Sequence, residues 1–207
     1  MITFNEAIGY KRSFACVDIG AIKNNFKELK KCLPETTKTM AVVKADAYGH
    51  DAILTSQLAE KNGIDFLAVA TIDEGIELRE AGIKLPILLL SLCVPDEFEE
   101  IFKNDITPLV FSKEYINLLI KASESFFSDE TKFAVHLAVD TGMGRIGCYP
   151  QDAGEEAKLI NNSKNLILSG MCTHFAVSDS LSQENQEYTK NQYNKFLQYE
   201  LENKYTE

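Results

Sequence analysis

Short apolar runs of strand length recur along the chain, and amphipathic helical patterns lie between them. The runs occupy residues 40–43, 66–70, 87–90, 109–111, 133–139 and 167–172. Their apolar residues are largely continuous instead of alternating with polar ones, which is typical of strands buried on both faces of a parallel sheet. The pattern therefore predicts repeated strand–helix units.

Several helical patterns have recognisable boundaries. Residues 52–62 form one such pattern after the first run, and residues 183–207 form a polar one at the end of the sequence. Thr71 and Glu74 make a T-x-x-E capping box, which predicts a helix that Gly82 ends. A strand-like run at residues 14–19 and a further helix precede the repeated units, the helix carrying Ile22, Phe26, Leu29 and Leu33 on one face.

The repeat length favours a barrel. Each unit takes about 20 to 35 residues, near the roughly 30 per unit of an eight-unit barrel. We therefore predict an α/β fold, a TIM-type (β/α)8 barrel, with residues 1–207 as one incomplete domain. Six barrel strands can be counted, or seven if the run at 14–19 is included, so we expect a truncated barrel that lacks its last strands. A doubly wound open sheet is the alternative, but its G-x-G-x-x-G signature is absent.

Composition narrows the choice of partner. The net charge of -10 disfavours nucleic acid and anionic membrane surfaces, so a small molecule is the expected partner. The five cysteines are scattered with no CxxC spacing, which indicates reduced thiols with neither a disulfide framework nor a metal site. Without a signal peptide or a long apolar segment, the expected location is the cytoplasm.

Lys44 is the first candidate for chemistry. It follows the run at 40–43, at the carboxyl end of a strand, where barrel enzymes place reacting groups. An apolar setting disfavours the ammonium form, and a poorly solvated amine is what imine formation with an aldehyde requires. The alternative is a solvated surface charge.

Three more residues are candidates at strand ends. Arg145 lies among three glycines in Val-Asp-Thr-Gly-Met-Gly-Arg-Ile-Gly, residues 139–147, which predicts a bent loop holding a fixed cation. His174 follows the last apolar run, and Tyr48 lies in the loop after Lys44. An ordinary turn with a surface arginine, a core histidine and a packing tyrosine are the alternatives.

These segments resemble motifs of the alanine racemase family. Residues 41–50, AVVKADAYGH, are similar to its attachment motif for pyridoxal 5'-phosphate (PLP), with Asp46 and Asp51 where asparagine and glycine are commoner. Residues 139–147 and 170–176, GMCTHFA, resemble two further family motifs. The resemblance implies that PLP is bound by Lys44, with Tyr48 on its phosphate, Arg145 on its phenolic oxygen and His174 against its ring.

The resemblance also implies a reaction. The family interconverts L- and D-alanine for peptidoglycan precursors as a homodimer, with Lys44 as one base and a tyrosine from the partner's carboxy-terminal β-domain as the other. This chain lacks that β-domain, so we expect it to be weakly active or inactive alone. A serine racemase, a non-catalytic PLP-binding barrel and a packing scaffold without cofactor are alternatives.

Ala138 departs from the family pattern. Many members have a lysine seven residues before the arginine, and its carbamylated side chain holds that arginine. Alanine has no nitrogen to carry this group, so we expect a bound anion or another side chain to take its place, or a less rigid Arg145.

Overall fold

The computed structural model describes residues 15–204, and side chains as far as residue 198. In chain order the helices and strands are α1 (Ile19–Lys31), β1 (Met40–Val42), α2 (Ala52–Lys61), β2 (Phe66–Val69), α3 (Ile72–Glu80), β3 (Ile87–Leu89), α4 (Phe98–Lys103), β4 (Ile106–Val110), α5 (Lys113–Phe126), β5 (Phe133–Ala138), α6 (Ala153–Asn161), β6 (Leu166–Cys172) and α7 (Gln183–Lys204). A short turn of helical shape, Lys44–Gly49, follows β1, and 3-10 turns, Pro95–Glu97 and Pro150–Asp152, precede α4 and α6.

The described strands form one sheet of six strands in sequential order, β1 to β6. Every neighbouring pair is parallel. A doubly wound sheet would reverse its strand order at a switch point, and this sheet does not. The prediction of a TIM-type α/β fold is confirmed: the six strands form an open part of such a barrel, with β1 and β6 at its two edges.

The strand-like run at residues 14–19 was interpreted wrongly. Residues 15–18 are not a strand, and Phe14 lies outside the described residues. The Asp18 carboxylate accepts a hydrogen bond from the N–H of Ala21 at 3.0 Å and caps α1, so the run leads into a helix. The predicted apolar face of α1 is partly buried. Ile22 and Phe26 are half-buried and Phe26 packs against the core, whereas Leu29 is exposed and Leu33 lies beyond the end of the helix.

Most other predicted boundaries agree with the structure to within one residue, but the run predicted at 109–111 is only the end of β4, which begins three residues earlier at Ile106. Thr71 and Glu74 form the predicted capping box at the start of α3, and Gly82 follows its end with φ of 86°. Helix α2 ends one residue before the predicted limit. No helix among the described residues is both long and apolar enough to cross a membrane.

The core has two faces. Between sheet and helices lies the larger cluster, which includes Leu67, Leu89 and Leu137. On the concave face that forms the inside of a barrel lies a smaller cluster of Ala68, Leu88, Leu109 and Ala138. Because the strands are parallel, their carboxyl ends lie along one edge of the sheet, which is where the predicted site residues follow them.

Candidate active site

Lys44 lies at the carboxyl end of β1, as the sequence predicts. The N–H of Val43 donates to the carbonyl oxygen of Ala68 at 2.9 Å, so the sheet fixes the backbone up to the residue before Lys44. The Lys44 side chain is partly buried, and it forms no hydrogen bond or ion pair with any residue that the structure describes. Its amine is therefore uncommitted.

A left-handed turn follows Lys44. Residues 45–48 have φ between 49° and 54°, a region that residues other than glycine rarely adopt. Each such residue costs roughly 1–2 kcal/mol, so surrounding contacts must hold the turn in place. Tyr48 is the last residue before Gly49, which continues the stretch with φ of 84°, and its side chain is 64% exposed and, within residues 15–198, without a hydrogen-bond partner.

Glu74 supplies one of those contacts. Its Oε1 accepts from the N–H of Ala45 at 2.7 Å, and its Oε2 accepts from the N–H of Ala70 at 2.7 Å. One carboxylate thus bridges the segments after β1 and β2. The sequence identified Glu74 only as the second half of a capping box, and this bridge needed the structure to reveal it.

Two aspartates that depart from the family motif also support the turn. Asp46 Oδ1 accepts from the N–H of Ala52 at 2.8 Å. Asp51 has φ of 68°, and its Oδ1 accepts from the N–H of Leu54 at 2.9 Å as the N-cap of α2. Aspartate is among the few side chains that tolerate positive φ, and it adds a cap that glycine cannot provide.

The Arg145 loop is bent around Asp140. The Oδ1 of Asp140 accepts from the N–H groups of Gly142 at 2.9 Å and Gly144 at 3.0 Å. Burial acts to raise the pKa of Asp140, but hydrogen bonds from these and the neighbouring amide lower it overall. The Arg145 side chain is exposed and makes no hydrogen bond or ion pair in the described part of the chain.

His174 lies in the loop after β6. Its ring is exposed and without a hydrogen-bond partner among residues 15–198, so the interpretation as a satisfied core histidine does not hold. One residue earlier, the hydroxyl of Thr173 lies 2.7 Å from that of Thr141. This contact joins the His174 loop to the Arg145 loop.

Neither Gln192 nor Tyr188 on α7 is among the residues predicted for the site, and both contact these loops. Gln192 is 1% exposed and hydrogen-bonds to both loops. The Tyr188 hydroxyl donates to the carbonyl oxygen of Gly142 at 2.6 Å. The i, i+4 spacing of these residues places them on one helix face, which was the only available signal.

Ala138 is 2% exposed on the concave face of the sheet. Its cluster is surrounded by partly buried apolar side chains, namely Leu90, Phe111, Ile146 and Cys172. None of them carries a charge that could hold Arg145 as a carbamylated lysine does. Arg145 instead borders an open cavity of about 540 Å³, which Phe111 and Asp140 also line.

Cys172 is a second nucleophilic residue on this edge, at the end of β6. Burial raises the pKa of its thiol to about 11, so the reactive thiolate is scarce at neutral pH.

The four predicted residues lie in two groups at the carboxyl edge. Lys44 and Tyr48 share the turn after β1, while Arg145 and His174 lie on joined loops after β5 and β6. No hydrogen bond or ion pair among the described residues connects the two groups, which lie at opposite ends of the strand order. An amine, a phenol, a guanidinium and an imidazole, all without protein partners, fit a ligand with an aldehyde, an aromatic ring and a phosphate.

Comparison with known proteins gives a consistent result. Residues 17–204 match the family model described as alanine racemase, N-terminal domain. The alanine racemase of Treponema denticola is 46% identical over 182 residues, which cover 88% of this chain and 47% of that protein. The solved alanine racemase of Clostridium difficile 630 is 36% identical with a TM-score of 0.82, covering 92% of this chain and 51% of that one.

A further solved structure carries a different name. The histidine racemase of Leuconostoc mesenteroides subsp. sake is 27% identical with a TM-score of 0.75, covering 84% of this chain and 46% of that one. The chain spans about half the length of the curated relatives that it matches. With its fold, its motifs and its relatives in agreement, the chain belongs to the alanine racemase family.

Proposed function

We propose that this chain is the PLP-binding part of an amino-acid racemase that interconverts L- and D-alanine. The observation that supports this best is the set of four side chains without protein partners at one sheet edge: Lys44, Tyr48, Arg145 and His174. Exposed groups of this kind are also common as solvated surface side chains, so the proposal depends on their common position at the carboxyl edge of the sheet, where barrels of this type bind their ligands.

The residues present suit PLP. Lys44 Nζ would hold the aldehyde carbon covalently, and Arg145 would donate hydrogen bonds to the phenolic oxygen. His174 would stack on the pyridine ring, and the Tyr48 hydroxyl would donate to the phosphate. The apolar side chains around Ala138 exclude water from the concave face beneath.

PLP, when bound, supplies an electron sink that makes the Cα proton of an attached amino acid acidic enough for side-chain bases. Lys44 Nζ would then take or return that proton on one face of the substrate. Racemisation needs a second base on the opposite face. By the family resemblance this base is a tyrosine of a carboxy-terminal β-domain in the partner of a homodimer, so the 207-residue chain alone should turn over poorly.

The wider setting is part of the same proposal. An alanine racemase of this family supplies D-alanine for peptidoglycan precursors in the cytoplasm. The net charge of -10 supports a small amino acid over nucleic acid or an anionic membrane as the partner.

Serine is the second candidate substrate. Ala138 leaves Arg145 without the positioning group that many family members have, and the name of the Leuconostoc relative shows that this fold serves other amino acids. Assays with both enantiomers of alanine, serine and histidine on a protein that includes the second base would distinguish these substrates.

Covalent labelling tests cofactor attachment. We expect PLP to give the chain a visible absorbance band, and borohydride followed by peptide mapping to label residue 44. Lys44→Ala should abolish both signals, whereas the matched variant Lys121→Ala, which changes an exposed lysine on α5, should keep them. Labelling elsewhere, with residue 44 unmodified in a folded protein, would contradict the proposal.

Isotope exchange tests the one-base chemistry. In D₂O, the PLP-loaded chain should exchange the Cα proton of one alanine enantiomer faster than that of the other and yield little of the opposite enantiomer. Turnover close to that of a full-length family enzyme would show that the second base is not needed.

A further inference from the structure

Gln192 joins the two loops that carry Arg145 and His174. It is 1% exposed, although it lies in a largely polar helix. Both polar atoms of its amide are engaged. Oε1 accepts from the N–H of Ala176 at 2.9 Å, while Nε2 donates to the carbonyl oxygen of His174 at 3.0 Å and to the Thr141 hydroxyl at 3.3 Å.

The hydrogen bonds between the Gln192 amide and the His174 loop resemble those between neighbouring strands of a parallel sheet. The side-chain amide bonds to the C=O of one residue and the N–H of the residue two further on, as a neighbouring strand would. Among residues 15–204 no strand pairs with the chain beyond the end of β6, so the amide takes that place and sets the backbone direction that carries the His174 ring.

The third bond reaches the Arg145 loop. Thr141 is 2% exposed, and its hydroxyl lies 2.7 Å from that of Thr173. The two hydroxyls and the amide therefore form a buried chain of hydrogen bonds between the loops. Buried polar groups of this kind are costly when any member loses its partner, so the chain favours one arrangement of the loops.

We propose that Gln192 is a positioning residue that fixes the His174 and Arg145 loops relative to each other. By holding these two side chains in place, it increases the affinity of the site for the cofactor. The proposal rests on the proposed PLP site for its effect on binding. The loop geometry itself is independent of that site.

Two substitutions separate hydrogen bonding from packing. Gln192→Glu keeps the shape and the acceptor for Ala176, but it removes the donor for His174 and Thr141. Gln192→Leu removes all three bonds. Gln186→Glu is the matched control, because it adds the same charge to the same helix at an exposed position and removes one exposed donor, the Nε2 bond to the Leu181 carbonyl oxygen at 3.3 Å, away from both loops.

Cofactor affinity is the first measurement. Near pH 8 we expect PLP to bind about tenfold more weakly to Gln192→Glu and Gln192→Leu, the loss of about one buried hydrogen bond, and normally to Gln186→Glu. Near pH 5.5 the buried carboxyl of Gln192→Glu should take up a proton and regain a donor. At this pH the loss of PLP affinity relative to the original chain should become smaller for Gln192→Glu but not for Gln192→Leu.

Hydrogen–deuterium exchange is the second measurement, and it requires no cofactor. Residues 173–178 should exchange faster in both variants, and Gln186→Glu should match the original chain. The proposal would be overturned if both variants kept the exchange rates and the PLP affinity of the original chain. It would also be overturned if Gln192→Glu and Gln192→Leu lost equal PLP affinity at both pH values. If even the original chain fails to bind PLP on residue 44, the proposed function fails, and the exchange data alone decide the role of Gln192.

Thr141→Val covers the case in which Gln192→Leu does not fold. It nearly preserves side-chain shape but removes the hydroxyl that Gln192 and Thr173 share. We expect a smaller loss of PLP affinity than for Gln192→Glu, with faster exchange in the same loops. An unaltered loop in this variant and in Gln192→Glu would also overturn the proposal.

Discussion

The Glu74 carboxylate accepts a hydrogen bond from the backbone N–H of Ala45 at 2.7 Å, next to Lys44, the residue that we propose holds the cofactor. The same carboxylate accepts from the N–H of Ala70 after the neighbouring strand. A side chain on α3 therefore holds the start of the left-handed turn against the sheet.

Replacing Glu74 should loosen this turn. In Glu74→Gln the amide nitrogen faces a backbone donor, so we expect the free energy of unfolding to fall by about 1–3 kcal/mol. Labelling of Lys44 by PLP and borohydride should also weaken. Glu77→Gln, an exposed change on the same helix, is the control in urea unfolding. Equal stability of the two variants would show that the bridge contributes little.

Asp51 combines positive φ with a helix cap, so we can predict the order of stability of three variants at this position. Asp51→Asn keeps both properties and should be nearly neutral. Asp51→Gly relieves the backbone strain but loses the cap. Asp51→Ala loses the cap and keeps the strain, so its free energy of unfolding should fall by about 1–3 kcal/mol. Thermal unfolding of the three variants checks the order, and an alanine variant as stable as the asparagine variant would contradict it.

Alanine substitutions at two glycines of the Arg145 loop should differ sharply in their effect on stability. A Cβ on Gly147 would overlap the backbone nitrogen of Asp140, while a Cβ on Gly144 meets nothing within 4 Å. Gly144→Ala bears only the strain of its φ of 70°, about 1–2 kcal/mol. Gly147→Ala must also displace the backbone, so we expect a larger loss of stability and weaker PLP binding. Comparable melting temperatures for the two variants would refute this.

His136 should make stability depend on pH. Burial on β5 lowers the pKa of its imidazole below the ordinary value of 6.5, because the charged form is poorly solvated there. The folded state therefore binds this proton less well than the unfolded state. Its contribution to stability is complete above pH 6.5 and is lost as the pH falls through the lowered pKa. Urea unfolding as a function of pH should show this decline, and His136→Gln should reduce it.

The two edge strands should promote self-association. Met40, Val42 and Ile167 are 37%, 45% and 44% exposed on β1 and β6, beside unpaired backbone groups. Open apolar strand edges invite pairing with other chains. We expect the 207-residue chain to form larger species as its concentration rises in sedimentation velocity, and the double change Val42→Lys with Ile167→Lys to oppose it. A monodisperse monomer at high concentration would be the contrary result.

The sequence by itself determined the strand runs, their parallel arrangement and the placement of Lys44, Arg145 and His174 at strand ends. These follow from local signals, since continuous apolar runs, a capping box and motif spacing are all readable within a few residues. The same local reading was wrong for residues 15–18, where the Asp18 cap starts a helix inside a strand-like run.

Only the tertiary structure decided how the site is held. The left-handed turn has no glycine to signal it before Gly49, and it depends on carboxylates such as Glu74, which lies 29 residues from its partner Ala45. The buried amide of Gln192 lies 51 residues from Thr141, within a helix whose sequence is mostly polar. A polar side chain is buried when distant partners satisfy it, and partners so far apart along the chain meet only when the sheet has brought its strand ends together.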